Sequence, residues 1–192
     1  MTTALYTKDD LQFCVSDSFE SRFLLSLVEN LKEKLLNDTW DDYNEIYHCC
    51  RIIHEFSRTP GLTMDFHTLR RGESLLGMVI ITHGSIAPDI YAQHGLHISD
   101  PIHEVALLNY FHIAPEGRGN GTFWIRDIVM PLYADLGYTA FYLKTSHPKV
   151  FPLYDRLGAV IGHYTQSSDN MIHQRKGRLY RLPLYAKPLP KE

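Results

Sequence analysis

Residues 106–137 read ALLNYFHIAPEGRGNGTFWIRDIVMPLYADLG, and the fold turns on this stretch. It opens with an apolar run, Ala106 to Ile113, of the kind a buried strand needs. Pro115 breaks the ladder, and Glu116 to Gly121 forms a glycine-dense turn. Phe123, Ile125, Ile128, Val129, Leu132 and Leu136 then recur at helical spacing on roughly one side, and Gly137 stops the helix. Glycines let backbone approach a ligand closely and leave N–H groups free. The first helical turn adds further unpaired N–H groups and the positive end of the helix dipole. A phosphate or pyrophosphate is the ligand that suits such a strand, turn and helix.

The spacing narrows the choice. No Gly-Lys-Ser/Thr follows at P-loop distance. Gly117, Gly119 and Gly121 alternate, but no glycine lies three beyond Gly119 or Gly121, so the dinucleotide fingerprint is absent. Ile113-Ala114-Pro115 followed by Arg118-Gly119-Asn120-Gly121-Thr122-Phe123 instead resembles motif A of the Gcn5-related N-acetyltransferase (GNAT) superfamily, [Gln/Arg]-x-x-Gly-x-[Gly/Ala]. Phe123 departs from the small residue usual at the last place. A later stretch, His147 to Ala159 (HPKVFPLYDRLGA), resembles a second motif of the same superfamily through Leu153, Tyr154 and Gly158. There His147 stands for the usual Asn and Ala159 for the usual Phe.

Composition sets wide bounds. The chain has 192 residues, 44% hydrophobic and 21% charged, which suits a soluble globular domain. We expect a single domain over 1–192 with a long inserted loop at about 83–101. A formal charge of -3 argues against a general nucleic-acid binder. The N-terminus lacks a basic region and an apolar signal core, no stretch approaches a membrane span, and a cytoplasmic protein is the expectation. Cys14, Cys49 and Cys50 have neither disulfide nor zinc-ligand spacing and read as small buried hydrophobes. His94, His97 and His103 with Asp89, Asp100 and Glu104 match no metal pattern, and no metal is expected.

In chain order, Leu11 to Val15 reads as a strand and residues 18–36 as an amphipathic helix capped by Ser16 or Asp17. A second helix from about Trp40 to Phe56 has Tyr43, Ile46, Tyr47, Cys50 and Ile53 on its apolar side. Leu62 to Arg70 and Ser74 to Thr82 form a hairpin about Arg71-Gly72-Glu73. The polar segment from His83 to Pro101 holds a short helix near Asp89 to His94. Thr139 to Lys144 is a strand, Pro148 to Leu157 a helix with Gly158 as a left-handed cap, and Ala159 to Thr165 and Arg178 to Tyr185 are the last strands. Residues 166–177 read as a loop, and a Pro-rich tail ends the chain. The order β-α-α-β-β-β-α-β-α-β-β predicts an α/β fold, a central mixed twisted sheet flanked by helices. It also resembles the GNAT order.

The resemblance implies acetyl-CoA as cofactor and acetyl transfer to an amine of a small molecule or protein, by direct attack in a ternary complex. It implies that backbone N–H groups of Arg118, Gly119, Asn120, Gly121, Thr122 and Phe123 hold the pyrophosphate. The pantetheine arm would pair along Tyr110 to Ile113, with an N–H near Phe111 or His112 facing the thioester carbonyl. Tyr154 takes the place of the family's general acid, and a phenol can donate to a developing thiolate. His112 and Glu104 are the candidate bases, His112 because an imidazole titrates near neutrality. Three readings stay open: this one, the same scaffold with another acyl donor or a nucleobase substrate, and a degenerate fold member that only binds a partner. A homodimer through the early helices or the last strands is the common oligomeric expectation.

Overall fold

The computed structural model describes residues 1–38 and 43–185. The expected start of the second helix at Trp40 and the Pro-rich tail lie outside the described residues. Eight strands form one sheet: β1 (Thr2–Lys8), β2 (Leu11–Ser16), β3 (Leu62–Arg71), β4 (Ser74–Gly84), β5 (Val105–Ile113), β6 (Ala140–Thr145), β7 (Ala159–Ser167) and β8 (Gln174–Pro183). Their spatial order is β1-β2-β3-β4-β5-β6-β8-β7, antiparallel throughout except for the parallel pair β5–β6. Helices α1 (Phe23–Leu36) and α2 (Glu45–Phe56) cover one face. Helix α3 (121–135) and α4 (Phe151–Leu157) cover the other. The expected mixed sheet between helices is the fold observed.

Burial on both faces explains why β4 reads as one apolar run. Successive side chains point to opposite sides. Val79 and Ile81 join Trp124 and Ile125 of α3, while Met78 and Ile80 join Phe23 and Leu27 of α1. A third cluster answers the question of the long segment. Ile86 and Tyr91 pack on Val105, Leu107 and Tyr142 beside Phe56 of α2. Asp100 fastens this segment to the sheet: Arg181 donates to its carboxylate at 2.6 and 2.8 Å, and Tyr142 at 2.6 Å. Its only helical pieces are single 3-10 turns, Ala92–His94 and Ile102–Glu104.

Several expectations are corrected. β1 was not anticipated, because an almost wholly exposed edge strand shows no apolar alternation. Helix α1 starts only at Phe23, with no side-chain cap, and Ser16 instead takes the N–H of Ser18 at 3.1 Å. On α2 the buried face is Glu45 and Cys49 with Ile46, Ile52, Ile53 and Phe56, while Tyr47 and Cys50 face solvent. Ile46 and Ile53 lie on the expected side and Tyr47 and Cys50 do not, because the helix is apolar on two sides and periodicity alone does not choose between them. Leu136 is exposed rather than buried. In α3, Trp124–Val129 is wound as a π-helix between α-helical Gly121–Phe123 and Met130–Asp135. The wide turn falls where Pro131 lacks the N–H that would close an ordinary turn on Asp127. Gly158 is extended at φ -171, not left-handed. Glycine is needed there because a Cβ would lie 2.3 Å from the carbonyl oxygen of Arg181. Half of the expected loop 166–177 is strand, since β7 runs to Ser167 and β8 begins at Gln174.

Candidate functional site

The site follows from one gap in the sheet. β5 pairs with β6 only where Val105, Ala106 and Leu107 face Ala140, Phe141 and Tyr142. Beyond that point the strands part, and the edge of β5 that faced β6 is left without a strand partner. A bulge adds to the divergence. Tyr110 pairs with Ile80 and Leu108 with Ile81, leaving Asn109 extra, and its side chain donates to Thr82 Oγ1 at 2.7 Å.

A cavity of about 420 Å3 occupies the gap. Its walls are Arg118, Gly119 and Gly121 at the turn, Phe111, His112 and Ile113 along β5, and Leu153 and Tyr154 on α4. Asn30, Lys34, Tyr43 and Glu45 close it from the α1–α2 side. A second cavity of about 320 Å3 adjoins it, sharing Tyr43, Leu108, Asn109, Lys144 and Thr145. That one extends to His48, Arg51 and Glu55 of α2, Tyr91 of the long segment and Tyr164 of β7. Two ligands entering by the two arms would meet at the gap.

The turn is shaped for close approach. Gly119 has φ +90, a conformation costly for other residues. A Cβ on Gly121 would lie 3.0 Å from Phe111 Cζ. The first bond of α3 runs from Trp124 N–H to the Asn120 carbonyl at 2.8 Å, so the N–H groups of residues 120–123 precede the helical ladder. Phe123 does not obstruct this end. Its ring turns away onto the β1–β2 hairpin, 5.5 Å from Tyr6, 5.7 Å from Phe13 and 5.3 Å from Lys8 Nζ. Asn120 and Thr122 also point elsewhere: Asn120 donates to the Gly117 carbonyl at 3.0 Å, and Thr122 accepts from Arg156 at 3.5 Å. Asn120 and Phe123 are left to serve a ligand through their backbone, while Thr122 keeps its hydroxyl proton.

Tyr154 lies against Tyr180 at 5.5 Å between ring centres. Burial first, then the neighbouring Tyr43 and Tyr180, pushes its pKa well above that of a free phenol, so its proton stays on. His112 packs edge-on against Phe23 at 5.9 Å, and its Nε2 is buried with no hydrogen-bond partner. Burial, helped by Lys34 and Arg118, lowers its pKa to about 4, so the imidazole is neutral. Glu104 is a correction. It precedes β5 at the closed end of the β5–β6 pair, where its carbonyl takes the N–H of Thr139 at 2.8 Å. Its carboxylate lies 3.7 Å from the exposed His103, and it lines neither cavity. The gap opens at the opposite end of the strand, out of its reach.

Sequence reasoning missed the α1–α2 contribution. Glu45 heads α2 and accepts from Asn30 at 3.1 Å and from Lys34, while its second oxygen is buried without a partner. Asn44 caps the helix by accepting the N–H of Tyr47 at 3.0 Å. Tyr43 stacks on His48 with ring centres 4.4 Å apart and 12° between planes. Asp169, from the turn between β7 and β8, holds His48 at 2.9 Å and the Asn44 N–H at 2.6 Å. The one available signal was an Asn followed directly by an acid at the start of a helix, which marks a cap but not a cavity wall.

No family model and no curated protein matches this sequence. Solved structures do match. The chain is similar to an apo ribosomal L7/L12 alpha-N-protein acetyltransferase, with a TM-score of 0.56, 14% identity and 96% of each chain covered. It is similar to a spermidine N-acetyltransferase from Vibrio cholerae in complex with CoA and spermine, with a TM-score of 0.53 and 15% identity over 90% of this chain and 95% of that one. It is also similar to a phosphinothricin acetyltransferase from Sinorhizobium meliloti in complex with AcCoA, with a TM-score of 0.52 and 13% identity over 93% and 91%. The two-helix, split-sheet architecture of this chain is the acyl-CoA N-acyltransferase (GNAT) fold.

Proposed function

We propose that the protein is an acetyl-CoA-dependent N-acetyltransferase that transfers the acetyl group to an amine by direct attack in a ternary complex. One observation carries this reading: the unpaired edge of β5 opens at one end onto the Gly119–Gly121 turn and lies across one cavity from the buried Tyr154. The residues fit the cofactor. Free N–H groups at residues 120–123 and Arg118 suit a pyrophosphate, Gly119 and Gly121 in the cavity wall suit close approach, and an open strand edge suits an amide-bearing arm. When bound, acetyl-CoA supplies an activated acetyl group and a thiolate leaving group.

The chain's own residues do the rest. Tyr154 holds its phenolic proton far above neutral pH, the state required of a general acid. His112 remains the candidate base, neutral and with an unpartnered Nε2 in the cavity wall. A pKa of about 4 makes it a proton conduit rather than a strong base. Asn30, Lys34, Tyr43 and Glu45 wall the gap on the α1–α2 side and reduce its exposure to water, which strengthens polar contacts inside. The three cysteines are free thiols, consistent with a reducing compartment such as the cytoplasm. Among the described residues no helix is long and apolar enough to cross a membrane.

Calorimetric titration with acetyl-CoA and with CoA tests the reading, followed by an acceptor screen with Tyr154→Phe as control. Binding followed by Tyr154-dependent release of thiol supports it. Absence of binding removes it and favours a protein that binds a partner through the same fold.

A further inference from the structure

Two cations, Lys144 and Arg51, line the second cavity with one carboxylate, Glu55. Lys144 stands on β6 just past the point where β5 and β6 part, and it lines both cavities. The side chain is half-buried and donates to His94 Nε2 at 2.8 Å. His94 is a neutral partner, because burial and Lys144 itself hold its pKa below the ordinary imidazole value. The ring of Tyr164 lies 5.9 Å from Lys144 Nζ. Among the described residues Lys144 makes no salt bridge to a carboxylate. Arg51 adds a second positive charge, and Glu55 of the same cavity is paired with it at 3.8 Å. Asp169 is taken up by His48 and the Asn44 N–H. The ammonium is half-buried with a neutral hydrogen-bond partner, and the one carboxylate that acts on it, Glu55, is shared with Arg51, so two cations face one carboxylate.

We propose that the acceptor is a primary amine that also bears an anionic group, a carboxylate or a phosphate, and that Lys144, with Arg51 at the rim, binds that group. This rests on the acetyltransferase reading of the same site and names its substrate class. The arrangement also aids the chemistry. Positive charge beside an amine lowers the amine's pKa and enlarges its neutral, nucleophilic fraction. A polycation such as spermidine would meet Lys144 and Arg51 as like charges.

The test uses the full chain and four probes: the common α-amino acids, their carboxamides, O-phosphoethanolamine and spermidine. Thiol release from acetyl-CoA and calorimetric binding are measured for wild type, Lys144→Met, Lys144→Gln and Arg51→Gln. At least one anionic amine should exceed its uncharged counterpart and spermidine by about 100-fold in kcat/KM. Lys144→Met or Lys144→Gln should raise the KM of that amine about 30-fold and Arg51→Gln about threefold, with acetyl-CoA affinity held within about twofold. Preference for the amino acids or for O-phosphoethanolamine assigns carboxylate or phosphate. Equal or better use of carboxamides or spermidine overturns the proposal, as does a preference that survives both Lys144 variants. If acetyl-CoA does not bind at all, the acetyltransferase reading fails separately. Titration with the anionic amines alone then decides the anion site, which stands on Lys144-dependent binding and falls without it.

Discussion

The two arms of the cavity are built by opposite means. The arm along the β5 edge has one continuous run, residues 108–121, with its backbone and glycines, as one wall, and side chains from α1, α2 and α4 close it. The arm beneath α2 is assembled from α2, the long segment, β5, β6 and β7, and presents side chains: His48, Arg51, Lys144 and Tyr164. A backbone-built arm recognises a chemical constant, such as a pyrophosphate and an amide chain. A side-chain-built arm is free to differ from protein to protein. The solved structures similar to this chain fit that division, with acceptors named as a ribosomal protein, spermidine and phosphinothricin on one architecture.

The sharpest way to break the comparison is Gly121→Val. The first added carbon already lies 3.0 Å from Phe111. A branched side chain should crowd Phe111 at the turn and weaken acetyl-CoA binding by about 100-fold or more, at a stability cost of about 1–3 kcal/mol that leaves the chain folded. Normal affinity in a folded variant would mean that the turn is not the cofactor's seat.

Acid stability comes next. His67 and His112 are both held at about 4, below the ordinary 6.5, mainly by burial. Their folded-state values are depressed, so the unfolded chain takes up protons first as pH falls. Their contribution is full above about 6.5 and is lost as pH falls from there toward 4, on the order of 3 kcal/mol for each. Urea unfolding at pH 7 and pH 5 should show it, with His67→Gln reducing the slope. The same shift makes the β5 arm insensitive to pH between about 6 and 8. A pH dependence of acetyl-CoA affinity in that range that disappears in a His112 variant would contradict this.

Tyr154→Phe should lower kcat by about 10- to 100-fold and leave acetyl-CoA affinity unchanged. An unchanged kcat would reduce Tyr154 to a packing residue. Asp100→Ala removes the acceptor of Arg181 and Tyr142. It should cost about 2 kcal/mol in stability and loosen the wall that bears Tyr91, raising the acceptor KM but not that of acetyl-CoA. A parallel rise in both would show that the arms are not independent. Phe123→Ala should have the smallest effect on acetyl-CoA affinity, less than about threefold, because its ring packs on Tyr6 and Phe13 outside the cavity. A large gain or loss would place the ring at the cofactor after all.

These differences also explain what could be read from the sequence. The strand, turn and helix around Gly117 to Gly121 were legible because a single local pattern specifies them. So was the β3–β4 hairpin, and the second local motif brings Tyr154 to the wall of the same cavity. Glu45, Lys144 and the aromatic wall were not, because their partners are far away in sequence: Lys144 meets His94, and Asp169 meets His48. Nothing local distinguishes a lysine facing a cavity from one facing water. Glu104 misled for the converse reason. It sits beside the right strand, but only the parallel register reveals which end of β5 is closed. Phe123 departs from the motif's small residue because its ring packs against β1 and β2, and β1 carries no local signal.

The most direct test of the account is calorimetric titration of the wild-type chain with acetyl-CoA, with CoA alongside. The account predicts one acetyl-CoA bound per chain, with affinity that falls sharply in Gly121→Val and persists in Phe123→Ala. Failure of both ligands to bind, or binding that is indifferent to Gly121→Val, would contradict it.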